Sequence, residues 1–93
     1  MAVAETLVEL AEEHLRRMAA VPWAAYAKSL RQGKAGETFG CEVGGRYFDV
    51  GDQASWLEHP EGDIRLIAHA TAEGRDLDPT EHRVEREAII RRA

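Results

Sequence analysis

A chain of 93 residues with a net charge of −5 is long enough for one domain, spanning 1–93, and for one modest core. Folding at this size hides roughly 60–65% of the unfolded surface, which leaves little room for a deep internal cavity. Cys41 is the only cysteine, so an intramolecular disulfide and a thiolate metal cluster are both excluded.

Residues 3–20 carry Val3, Leu7, Leu10, Ala11, Leu15 and Met18 at three- and four-residue spacing, the pattern of a half-buried helix. Acids in its first turns and Arg16-Arg17 near its end both suit the helix dipole. Pro22 interrupts the pattern and is well placed to open a second helix, although one kinked helix over 3–32 satisfies the same spacing. Trp23, Tyr26, Ala27 and Leu30 then form a single apolar stripe, and Gly33 with Gly36 ends it.

Strands are predicted near 37–43, 46–56 and 63–71. The first two form a hairpin that turns at Gly44-Gly45. Folding there sets Val43 opposite Arg46, Cys41 opposite Phe48 and Phe39 opposite Val50, which gathers the large apolar groups on one face. A slip of one residue would scatter them, so the register is well determined. Cys41 reads as a reduced cysteine on that apolar face. Gly51-Asp52 inside the second strand suggests a bulge or bend. In the third, Ile64, Leu66, Ala68 and Ala70 alternate with Asp63, Arg65, Ile67, His69 and Thr71. Asp78-Pro79-Thr80-Glu81 carries helix-start chemistry, and a last helix is expected from there to about Arg91. Its apolar content is thin, so it should pack weakly or complete its burial against another chain.

The expected fold is therefore α+β: two N-terminal helices and one C-terminal helix on a three-stranded antiparallel meander, in the order α-α-β-β-β-α. Phe39, Cys41, Phe48, Val50, Ile64 and Leu66 should face the helices. Trp56, followed by Pro60-Glu61-Gly62-Asp63-Ile64-Arg65-Leu66, resembles a hairpin of small bacterial domains of unknown function. That resemblance implies a meander packed on helices and brings no activity with it.

Charge falls in blocks of alternating sign: −4 over 1–13, +5 over 14–36, −6 over 37–63, and balance over 64–93. The acidic segment lacks the spacing of a calcium loop and reads as a solvated rim that can dock a protein. Its candidate binding residues are Asp49, Asp52, Trp56, Glu58 and Glu61. The basic block offers Arg16, Arg17, Lys28, Arg31 and Lys34 for nucleic acid, but Trp23 and Tyr26 share a face with Leu30 and read as core. His14, His59, His69 and His82 show no zinc spacing, so no metal and no cofactor are expected. His14 reads as a partly buried packing residue, and His59 and His82 as exposed.

No nucleophile has a base beside it in the sequence, and an enzyme is not expected. The reading is a non-catalytic protein-interaction module, a small acidic regulator or inhibitor acting through its sheet and loop surface, with a homodimer as a secondary expectation. The alternative is a small-ligand-binding or minor catalytic domain using Tyr47, Asp49, Arg65 and His69 on the outer sheet face. Nucleic-acid contact through the basic block ranks third. No apolar run reaches membrane-spanning length, and Glu5 and Glu9 do not suit a secretory signal, so a cytoplasmic protein is expected.

Overall fold

The computed structural model describes residues 2–34, 36–72, 74 and 82–92. Helix α1 spans Val3–Ala19 and α2 spans Trp23–Arg31. Residues 3–31 thus form two helices, with the break at Ala20 to Pro22. Gly33, at φ 77°, ends α2: its N–H donates to Leu30 O at 3.0 Å and that of Lys34 to Ser29 O at 2.9 Å. This pair of bonds is a Schellman cap, and it satisfies carbonyls the helix leaves open.

Four strands follow: β1 (Thr38–Val43), β2 (Arg46–Trp56), β3 (Ile64–Ala72) and β4 (Arg83–Ile90). They form one antiparallel sheet in the order β1-β2-β3-β4. The hairpin register is the one the alternation requires, with Val43 against Arg46, Cys41 against Phe48 and Phe39 against Val50. Gly44 and Gly45 have φ of 58° and 80°, as a type I′ turn demands.

Two expectations are corrected. Among the described residues, the expected three helices on a three-stranded meander are instead two helices on a four-stranded sheet, because residues 83–90 are a strand rather than a helix. Along β4, Val84, Arg86, Ala88 and Ile90 are half-buried while Arg83, Glu85, Glu87 and Ile89 are exposed, a period of two. Glu, Arg and Ala are good helix formers, but pairing with β3 outweighs that weak preference. The proposed helix start at 78–81 lies outside the described residues. Second, β2 contains no bulge at Gly51-Asp52; its register with β3 runs through both residues unbroken, and its register with β1 reaches Gly51.

Both helices lie on one face of the sheet. Leu7 and Ala11 pack on Phe48, Val50, Ala70 and Ala72 toward one end. Met18 and Ala27 pack on Ala54, Ile64, Leu66 and Ala68 toward the other. Ile64, Leu66, Ala68 and Ala70 are fully buried because β3 is a central strand beneath the helices. Each large apolar side chain buried here contributes about 1.5–3 kcal/mol. Of the six residues expected to face the helices, Phe48, Val50, Ile64 and Leu66 are buried, Cys41 is half-buried and Phe39 is 45% exposed. The small alanines of β3 let α1 sit close to the sheet.

Candidate functional site

β1 is an edge strand: β2 flanks one side, and among the described residues no strand pairs with the other. The turn determines which of its backbone groups are engaged. In a type I′ hairpin the residues that flank the turn, Val43 and Arg46, form a hydrogen-bonded pair, and every second pair does likewise. The Asp52 amide donates to Glu37 O at 2.9 Å, which places the far end of the hairpin in the same phase. Phe39, Cys41 and Val43 therefore bond to β2, while the N–H and C=O groups of Thr38, Gly40 and Glu42 face outward.

The side chains at this edge are unusual for a solvated margin. The helices pack chiefly on β2, β3 and β4, so the apolar face of β1 extends past their cover. Phe39 rests edge-on against the His14 imidazole, 5.3 Å between ring centres, and is still largely open to solvent. Beside it lies a groove of about 190 Å³ whose apolar lining is Leu10, Phe39, Cys41 and Val50. On the opposite face the Tyr47 ring crosses Gly40, where any β-carbon would collide with the phenol, and Tyr47 is 49% exposed.

His14 and Asp52 anchor this region from within. The His14 Nε2 and Asp52 Oδ2 atoms are 2.7 Å apart, and Asp52 Oδ1 accepts the Glu37 N–H at 3.1 Å. One carboxylate thus ties α1, β2 and the entry to β1 together. Tyr26 donates its hydroxyl proton to Met18 O at 2.7 Å, and burial, with the nearby Asp52 charge, holds its pKa above the usual phenol value. His14 is partly buried, as its sequence position suggested, but it is also a polar tie that spacing alone did not reveal. His82 is half-buried rather than exposed, and its carbonyl accepts the Ala72 amide at 2.9 Å.

The sequence-derived acidic set does not gather on one surface. Asp49 lies on the open sheet face, Asp52 is under the helices, and Trp56 packs against Trp23 with ring centres 6.1 Å apart. Glu58 is exposed in the loop after β2, and Glu61 sits in that same loop. The Arg31 guanidinium grips Glu61 and holds its carboxyl below the usual range. Asp63 is lowered too, first by the Arg92 backbone N–H at 2.9 Å and also by Arg91. Trp23 completes this clamp, donating its indole N–H to Gly62 O at 2.8 Å while the Arg92 guanidinium covers its ring at 5.0 Å. These loop acids hold the 57–63 segment to α2 and to the residues after β4.

Tyr47, Asp49, Arg65 and His69 do share the open face of the sheet, as the register requires. His69 lies across Gly51 and is diagonal to Asp49, but Ile67 separates it from Arg65, which bonds Glu87 at 2.9 Å. Burial, followed by the Arg83 charge, lowers the His69 pKa, against an opposing pull from Glu85. Arg83 in turn lowers Glu85. Within the basic block, Arg17 pairs with Glu13 and Arg31 with Glu61. Among the described residues, no three or more His, Cys, Asp or Glu side chains are placed to hold a metal ion, and no helix is long and apolar enough to cross a membrane.

The free edge with its exposed Phe39 was not singled out by the sequence reading. A signal existed: both helices precede β1, and a meander pairs neighbours in chain order, so its first strand must lie at a margin. Comparison with family models, with curated proteins and with solved structures returns no match. The functional reading therefore rests on the chain's own residues.

Proposed function

We propose that this chain is a non-catalytic protein-interaction module that receives an extended segment of its partner on the free edge of β1. The observation that carries the reading is Phe39, 45% exposed beside a groove lined by Leu10, Cys41 and Val50 with His14 and the Glu13–Arg17 pair at its rim, on a strand whose alternate backbone groups face outward. Strand addition to such an edge draws affinity from main-chain hydrogen bonds and specificity from alternate side chains. Phe39 and Cys41 offer an apolar footing on the helix side, and Tyr47 with Asp49 offers a mixed one on the open side.

β4, the other edge, is a poorer receptor. Although Ile89 is exposed near its end, four of its first five residues, Arg83, Glu85, Arg86 and Glu87, are charged, the guarding by which edge strands avoid pairing. β1 carries Glu42 as its one charged residue and contains neither lysine nor proline.

The test is recovery of a co-purifying polypeptide on a tagged chain in its native host. Glu42→Pro removes an outward N–H that the hairpin does not use, and edge strands tolerate proline at such positions. Recovery should fall at least tenfold for Glu42→Pro while circular dichroism stays unchanged. Equal recovery by the variant would overturn the reading.

A further inference from the structure

We infer that the segment received by β1 is β1 of a second copy, joined antiparallel about a two-fold axis through Gly40. The inference rests on the edge-docking reading above and names its partner. Antiparallel pairing of identical strands is isologous, so each side must be complementary to itself. The outward groups belong to the even-numbered residues Thr38, Gly40 and Glu42, and they can meet in only a few registers.

An axis through Gly40 sets Gly40 against its own counterpart, Thr38 against Glu42 of the second copy, and Glu42 against Thr38. All three outward-facing residues then form hydrogen-bonded pairs. An axis through Cys41 would leave Thr38 facing Gly44 in the turn, so the Gly40 axis uses more of the edge. On the helix side, each Phe39 stands opposite Cys41 of the second copy, beside the groove that leaves it exposed in the single chain. On the open side, the hydroxyl of Thr38 faces the Glu42 carboxylate, and no acid opposes an acid. Each Tyr47 already leans across its own Gly40, so the two phenols come together at the axis. The glycine is what permits this, because a side chain there would displace the ring. Joining the edges makes one continuous eight-stranded sheet.

A six-residue edge is smaller than a standard interface, and association is accordingly concentration-dependent. Sedimentation of the full chain from micromolar to millimolar concentration should show the 10.4 kDa species giving way to one of twice that mass. Glu42→Pro should weaken the association at least tenfold, and Phe39→Ser should weaken it while Glu42 is intact. Cys41 reports the register. About the Gly40 axis the two Cys41 residues are diagonal neighbours, about 7–8 Å apart, outside the usual reach of a disulfide. Oxidised glutathione should therefore yield no disulfide-linked dimer; efficient linkage would overturn the Gly40 axis. A chain that stays monomeric at millimolar concentration, or a dimer indifferent to Glu42→Pro, overturns the second copy as partner. If such a monomer still recovers a different polypeptide that Glu42→Pro loses, the docking reading stands and only its partner falls.

Discussion

Gly51→Ala probes how the open sheet face is assembled. The His69 ring lies across Gly51, and a β-carbon there would fall on its Cε1 and Nε2 atoms and 2.9 Å from Thr38 Oγ1. Overpacking of this kind costs about 1–3 kcal/mol, whereas alanine recovers about 0.4–1 kcal/mol by narrowing the unfolded ensemble. The net expectation is a loss of about 0.5–2 kcal/mol. At about 4–8 °C per kcal/mol for a domain of this size, the melting temperature should drop visibly. Removing the ring by His69→Ala leaves the new methyl facing a hydroxyl that can rotate, so Gly51→Ala should be near neutral or stabilising in that background. Urea unfolding of the four proteins gives the coupling, expected at about 1–3 kcal/mol. A Gly51→Ala protein more stable than wild type, or a coupling within about 0.3 kcal/mol of zero, would refute the account of this face.

Other outcomes follow from the core, the loop clamp and the titrating groups. Leu66→Ala, at a fully buried position on the central strand, should cost about 2–5 kcal/mol in urea unfolding. Trp23→Phe removes the donor to Gly62 O and should cost about 1–2 kcal/mol, with proteolysis of the 57–63 loop accelerated. Arg31 and Arg92 hold Glu61 and Asp63 below their usual values, so their stabilising effect is present above the ordinary carboxylate range and lost as pH falls through the folded-state values. Glu61→Gln with Asp63→Asn should flatten that acid limb in a melting-temperature profile. His69 is also lowered, so its neutral form is favoured on folding: stability should be complete above about pH 6.5 and decline below it. His69→Gln should remove that slope.

The N-terminal half was largely legible because its patterns are strong and local. The spacing of Val3, Leu7, Ala11 and Met18 specifies α1, and the double glycine between alternating runs specifies the hairpin and its register. The C-terminal strand carries two conflicting local signals. Helix-start chemistry at 78–81 and helix-forming Glu85, Arg86, Glu87 and Ala88 pointed one way, and the alternation from Val84 to Ile90 pointed the other. What decides such a conflict is the neighbouring strand, which local sequence does not display. The acidic patch failed to assemble for a related reason. Sequence proximity placed Asp49 and Asp52 together, but the pleat and the Asp52–His14 contact put them on opposite faces. Phe39 was assigned correctly to the apolar face, yet its exposure depends on where the helices end their cover.

The central claim is that β1 offers a free edge, and amide hydrogen exchange on the dilute chain tests it most directly. Phe39, Cys41 and Val43, bonded to β2, should exchange slowly, while Thr38, Gly40 and Glu42 exchange at rates near those of an open strand. Slow exchange at all six positions in dilute solution, or the reverse alternation, would contradict it.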